Sequence, residues 1–256
     1  MRSLKLFTSA ACALAATTAM GSFASAAPIM LQEFQGAALA EPFHLHPGWS
    51  GTSQGELTPA NTLITNDGAN GTTQSSQISF TDDPAITTTV AGHAWQIRHI
   101  PNAAAGISAA NPLFAADGYV GYWLKVEPTV TATIQTGPVL EGPAGTGEAT
   151  AGTLQTVIKD GQWHLYQWDM DDPAAFNTQW KTVYDAPAGT LGDTDLEATN
   201  SFDSIAFVSS DGGDATIRID QIGYDNAGPL GPIPEPGSFA LLALGGFAAL
   251  ARRRRA

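Results

Sequence analysis

Cysteine is almost absent from this chain of 256 residues, and the single one lies near the N-terminus. That residue is Cys12, so the chain beyond residue 27 can contain no disulfide, no thiolate nucleophile and no metal site built on thiolates. The stability of the fold must therefore come from a hydrophobic core, with or without a hard metal ion.

Positive charge is the second thing that the sequence has little of. Residues 28–232 contain five Lys and Arg against 23 Asp and Glu, which gives a net charge near −18. Because phosphate binding requires a basic surface, no nucleic acid is expected as a partner. An anionic polysaccharide is disfavoured for the same reason, whereas neutral glycans and divalent cations remain compatible.

The third absence is a sustained helical period between the two ends of the chain. Short apolar or alternating runs are instead separated by Gly, Pro, Ser, Thr and Asn, which is typical of an all-β sandwich or barrel. This pattern predicts strands near 29–34, 76–80, 86–91, 93–100, 118–127, 129–135, 153–158, 162–169, 203–209 and 215–224. In the last of these the apolar positions change phase, which indicates a bulge.

Two predicted strands carry aromatic residues on defined faces. In 118–126 the even-numbered residues form an apolar face that should lie in the core: Val120, Tyr122, Leu124 and Val126. Tyr119 and Trp123 share the opposite face, and Tyr166 and Trp168 share one face of the strand 162–169. Aromatic rings stack on sugars, so these four are the candidate glycan-binding residues. The alternative is that one of the two faces is buried by a second sheet.

The N-terminus has the pattern of a secretory signal peptide. Arg2 and Lys5 precede an Ala-rich apolar stretch from Leu6 to Phe23, and Ala24-Ser25-Ala26 supplies the small residues that a signal peptidase cuts after. We therefore predict a signal peptide at 1–26 and export of the rest of the chain.

The C-terminus has an equally ordered pattern. Pro234-Glu235-Pro236 is followed by an apolar run of 14 residues, 238–251, and by the cluster Arg252 to Arg255. A span normally needs about 20 residues, but the arginines favour a short helix in the inner membrane with the body of the protein outside. This tail resembles the PEP-CTERM sorting signal. The resemblance implies an exosortase as a partner, removal of the tail, and an association with exopolysaccharide or biofilm matrix.

These observations divide the chain into four parts: a signal peptide at 1–26, a β-sandwich domain at 27–226, a linker at 227–233 and the sorting signal with its short transmembrane helix at 234–256. The domain resembles carbohydrate-binding-module-like jelly rolls in three segments, 31–34, 160–166 and 217–222. That resemblance implies a two-sheet antiparallel sandwich. It also implies a structural calcium held by an early acid, Glu33, and a late acid, Asp220, because jelly rolls of this kind often bind calcium there.

The function expected from the sequence is that of a non-catalytic surface or matrix protein that binds extracellular polysaccharide. Two alternatives stay open: a purely structural matrix protein, and an extracellular glycan-active hydrolase or lyase that uses a carboxylate pair. Signal peptidase and an exosortase are the expected processing partners. The expected localisation is secreted or in the cell envelope, with transient anchoring in the inner membrane through the C-terminal helix.

Overall fold

The computed structural model describes residues 28–32, 34–35, 43–45, 62–82, 94–101, 113–141, 149–176 and 199–231. Within these ranges the regular elements are thirteen β-strands. They are β1 (Ile29–Gln32), β2 (Phe43–Leu45), β3 (Thr62–Thr65), β4 (Ser75–Phe80), β5 (Trp95–Pro101), β6 (Leu113–Ala115), β7 (Tyr119–Val126), β8 (Ile134–Glu141), β9 (Ala149–Ala151), β10 (Gln155–Thr156), β11 (Trp163–Asp169), β12 (Thr199–Ser209) and β13 (Ala215–Asp225).

The strands form two antiparallel sheets. The first sheet has the order β11-β7-β13-β4-β3, with β1 also paired to β13. The second has the order β10-β8-β12-β5-β2, with β6 on β12 and β9 on β8. The chain passes repeatedly from one sheet to the other, so many pairings join distant parts of the chain, such as β13 with β4 and β12 with β5. The all-β, two-sheet antiparallel sandwich expected from the sequence is confirmed.

The core lies between the inner faces of the two sheets. The predicted apolar face of β7 is buried there, against residues of the second sheet that include Trp95, Ile134 and Phe207. The hydroxyl groups of Tyr122 and Thr136 are 2.8 Å apart and link the two sheets by a hydrogen bond. This bond satisfies polar atoms that would be costly to bury alone.

The predicted strands match the structure in β1, β4, β5, β7, β11, β12 and β13. The bulge in β13 is confirmed by a register shift between Asp220 and Gly223. The strand predicted at 129–135 is wrong, because β8 begins at Ile134. The preceding residues form a turn in which the Val130 N–H donates to the Glu127 carbonyl. Strands β2, β3, β6 and β9 were not predicted, and the strand predicted at 86–91 lies outside the described residues.

The predicted signal peptide and the predicted C-terminal helix both lie outside the described residues. Within the described ranges, no helix has the length and apolar character needed to cross a membrane.

Candidate functional site

The outer face of the first sheet carries Tyr119 and Trp123, two of the four candidate glycan-binding residues, in cross-strand rows with residues of β11 and β13. Residues directly opposite one another in an antiparallel ladder share a face. Reading from β11 across β7 to β13, the rows are Trp163, Lys125 and Arg218; Leu165, Trp123 and Asp220; Gln167, Gly121 and Gly223; and Asp169, Tyr119 and Asp225.

Tyr119 and Trp123 lie on this outer face and are partly exposed, as strand alternation predicts. Trp163 is also partly exposed, and it stands diagonally across the β7–β11 ladder from Trp123. Diagonal neighbours of this kind are about 7–8 Å apart, which long aromatic side chains can bridge. Trp163 was not among the candidate residues. Alternation places it on the face of β11 opposite to Tyr166 and Trp168, but it does not determine which of the two faces the second sheet covers.

Tyr166 and Trp168 lie on the inner face of β11, where they are 4% and 2% exposed. The Trp168 Nε1–H donates to the Thr153 carbonyl at 2.7 Å, and the Tyr166 hydroxyl accepts from the Ile158 N–H at 2.7 Å. Burial raises the pKa of Tyr166. The second sheet covers the face on which these two rings lie, so a ligand on the outer surface cannot contact them.

One carboxylate at the edge of the outer face forms ion pairs with both Lys125 and Arg218. Asp67, between β3 and β4, accepts from Lys125 Nζ at 2.9 Å, Arg218 Nη1 at 2.7 Å and Trp163 Nε1 at 3.4 Å. Burial alone would raise its pKa, but hydrogen bonds from Lys125 and Trp163 and the charges of Lys125 and Arg218 lower it overall. Asp67 thereby fastens the 66–74 loop to the outer face.

Asp220 lies on the same outer face but is fully buried, because the 66–74 loop covers it. Its carboxylate accepts from the backbone N–H of Ala69 at 2.7 Å, from that of Gln221 at 2.8 Å and from the Thr72 hydroxyl. Glu33, its predicted calcium-binding partner, lies outside the described residues. The ladder pairs Gln32 with Ile222, so the end of β1 reaches within two residues of Asp220 along β13.

Acidic residues surround the other end of the outer face. The Tyr119 hydroxyl donates to Asp169 Oδ2 at 2.9 Å, and the Tyr224 hydroxyl donates to Asp117 Oδ1 at 3.1 Å. Burial, followed by the hydrogen bond to Asp117, raises the pKa of Tyr224 to about 12. In the part of the chain that the structure describes, no group of three or more His, Cys, Asp and Glu has an arrangement that would hold a metal ion. The acids here instead accept hydrogen bonds.

The residues that follow β13 close part of the outer face. We name residues 226–231 the C-terminal strap. Leu230 of the strap is 7% exposed, and it lines a small cavity of about 10 Å³ together with Trp123, Leu165 and Gly223. This segment falls in the linker expected at 227–233, and its packing against the sheet was not foreseen.

Sequence reasoning also missed a set of buried polar residues in the second sheet. Gln96 and Ser204 are fully buried on β5 and β12, and Asp203 is buried at the bulge between Phe202 and Ser204. The Ser204 hydroxyl donates to Asp203 Oδ2 at 2.7 Å. Register places Gln96 and Ser204 on the outer face, opposite Val208 and Val139. A signal was present in the polar run around 199–204, which interrupts an otherwise apolar strand.

Comparisons with known proteins bear on the sorting tail and on the fold. The model of the PEP-CTERM protein-sorting motif matches residues 232–255, which confirms the resemblance of the tail. No curated protein matches the chain.

Two similar solved structures come from Clostridium thermocellum. One is the family 11 carbohydrate-binding module of the cellulosomal cellulase Lic26A-Cel5E (15% identity, TM-score 0.46, 80% of this chain and 99% of that one). The other is a family 11 module in complex with a β-1,3-1,4-mixed-linked tetrasaccharide (14% identity, TM-score 0.47, 80% and 100% coverage). The similarity is one of fold.

The sorting motif indicates where the protein goes. A chain that carries it is exported and is sorted at the cell envelope by an exosortase. The motif leaves open what the sandwich does there.

Proposed function

We propose that this protein is an exported, exosortase-sorted, non-catalytic β-sandwich that binds a neutral glycan on the outer face of its first sheet. The observation that carries the proposal is the set of three partly exposed aromatic residues on that face, Tyr119, Trp123 and Trp163. Partly exposed tryptophans on a sheet are more informative than exposed aliphatic residues, because Trp combines a large apolar ring with a polar edge.

The spacing of these rings suits an extended ligand. Trp123 and Tyr119 are four residues apart on β7, which corresponds to about 13 Å at the rise of a β-strand. Asp169 stands beside Tyr119 on β11 and supplies a carboxylate as a partner for sugar hydroxyls. The strong acidic surplus of the domain favours a neutral glycan over an anionic one.

Direct binding measurements test the proposal. The purified exported protein is screened on an array of neutral and anionic polysaccharides, and the retained glycan is then titrated against Trp123→Ala and Trp163→Ala. We expect each variant to bind at least about fivefold more weakly, if stacking of one ring on a sugar is worth on the order of 1–3 kcal/mol, as it is for stacking on a nucleobase. Ile158→Ala is the matched control, because Ile158 is a large apolar residue that is 49% exposed away from this face.

The two outcomes that oppose the proposal differ in meaning. If the folded wild-type protein retains no glycan, the proposal is contradicted and a purely structural matrix role is favoured. If a glycan is retained equally by both Trp variants, the ligand binds elsewhere on the protein.

The sorting tail supports a second part of the proposal, which is processing of the C-terminus. We expect the mature extracellular protein to lack Arg252 to Arg255, because an exosortase substrate loses its tail at or near the motif. Intact-mass measurement on protein from the native host checks this. Extracellular molecules that mostly retain the arginines would contradict it.

A further inference from the structure

The C-terminal strap is part of the folded sandwich. It begins directly after β13, where the Ala227 N–H donates to Asp225 Oδ1 at 2.8 Å. Its apolar anchor is Leu230, which is nearly as buried as the core residues. Leu230 lies only four residues before Pro234, the first residue of the Pro-Glu-Pro motif. The sorting motif begins at residue 232, so the strap joins the sheet to the motif without an intervening linker.

Leu230 lines a small cavity on the outer face of the first sheet. Trp123, Leu165 and Gly223 line this cavity from the sheet, and Pro28 and Met30 line it from the start of the domain. A Cβ on Gly223 would come within 3.3 Å of Met30 Sδ. The strap and β1 therefore meet over this part of the sheet.

With the strap docked, little room remains beside Trp123. The cavity of about 10 Å³ between Leu230 and the tryptophan has space for about one water molecule. A sugar ring is many times larger and cannot enter. The part of Trp123 that faces this cavity is closed to a sugar while Leu230 is docked.

We infer that the strap is a built-in competitor that covers part of the glycan surface and reduces its affinity until Leu230 undocks; this inference rests on the proposed function. Burial of Leu230 favours docking, whereas the conformational entropy lost in ordering the strap opposes it. The strap is therefore in equilibrium between a docked and an undocked state. The apparent affinity for a ligand falls in proportion to the open fraction.

The position of the strap connects this equilibrium with sorting. Gly231 is the last residue before the motif, so Leu230 lies two residues from the motif in the sequence. The same six residues thus adjoin both the ligand surface and the site that an exosortase recognises.

The test uses Leu230→Ser in the mature exported protein, with Leu230→Ala as a milder second variant. Ala227→Ser is the matched control, because Ala227 is exposed in the same strap. Denaturation midpoints first establish that each variant is folded. Two readouts follow: titration with cellohexaose, laminarihexaose and xylohexaose, and acrylamide quenching of Trp123 fluorescence, obtained as the difference between each protein and its Trp123→Phe counterpart.

We expect Leu230→Ser to bind the retained hexasaccharide about threefold to tenfold more tightly than wild type and to show greater quenching of Trp123, with Leu230→Ala between them and the control unchanged. Unchanged affinity and unchanged quenching in folded Leu230 variants would overturn the inference, as would weaker binding, which would make Leu230 part of the ligand surface. Greater quenching without glycan binding by any protein would refute the proposed function while supporting the cover over Trp123.

Discussion

A buried histidine makes the stability of the sandwich depend on pH in a window that its carboxylates do not share. His99 is fully buried on the inner face of β5, opposite Ile205 of β12. Burial lowers its pKa from 6.5 to about 3. The unfolded chain therefore takes up the proton first on acidification. The stability is complete above a pH of about 6.5 and is lost progressively as the pH falls towards 3.

The size of the loss follows from the two pKa values. Between pH 7 and pH 5, His99 becomes protonated in the unfolded state but stays neutral in the folded state. This difference lowers the free energy of unfolding by about 2 kcal/mol. Carboxylates with a lowered pKa, such as Asp67 and Asp211, lose their contribution only below a pH of about 4. With a urea slope of about 2 kcal/mol/M, the denaturation midpoint should fall by about 1 M.

The assay compares urea unfolding of wild type and His99→Leu at pH 7 and pH 5. Leucine cannot titrate, so we expect the variant to lose much less stability over this interval, whatever its stability at pH 7. His164→Gln is the control, because His164 is partly exposed on β11 and pairs with Asp160 at 2.9 Å; most of the fall should survive there. If His99→Leu loses as much stability as wild type, the reasoning from burial is refuted.

Two further predictions concern the candidate surface. Trp168→Ala should lower the free energy of unfolding by about 3–5 kcal/mol, and Trp163→Ala by much less; equal losses in urea unfolding would contradict their placement on opposite faces of β11. Asp67→Asn should cost about 1 kcal/mol after discounting for solvent exposure, with the difference shrinking at high salt. Asp172→Asn, an exposed acid, is its control, and a salt-independent loss would show that charge pairing is not the cause.

The sequence predicts the faces of strands well, because alternation is a local property. The core face of β7, the outer placement of Trp123 and the bulge of β13 all follow from periods of two residues. Register then extends this reasoning across a ladder, since each residue shares its face with the one opposite. Where two local patterns met at a turn, as at 127–133, the prediction failed, because a short apolar run before β8 resembles the start of a strand.

What covers each face is a non-local property, and here the sequence was a poor guide. Tyr166 is buried because the second sheet packs on its side of β11. Trp123 is partly covered by a strap that begins more than a hundred residues later in the chain. Asp67 fastens its loop to Arg218, 151 positions away. Such contacts depend on the strand order, which alternation alone does not determine.

Asp220 lies on the outer face of its strand and is covered by a distant loop, and this environment is the basis of a prediction about calcium. Register places it on the outer face opposite Trp123, and the loop that buries it supplies an amide and a hydroxyl donor to its carboxylate. A buried carboxylate satisfied in this way does not require a cation, yet β1 ends at Gln32, opposite Ile222 and therefore two residues from Asp220 along β13. We propose that calcium binds there and joins the two ends of the domain, which would stabilise the folded state by mass action.

The test is thermal unfolding of the mature protein with excess calcium and with chelator, repeated on Glu33→Gln. We choose the Glu33 variant because Asp220→Asn would also disturb the hydrogen bonds to the 66–74 loop. Calcium at 100 times its dissociation constant should add about 2.7 kcal/mol and raise the midpoint by several degrees. The rise should disappear in Glu33→Gln. The calcium site would be contradicted by an unfolding midpoint that does not change with calcium, or by a rise in the midpoint that persists in Glu33→Gln. The role of Asp220 would then be only to bind the 66–74 loop.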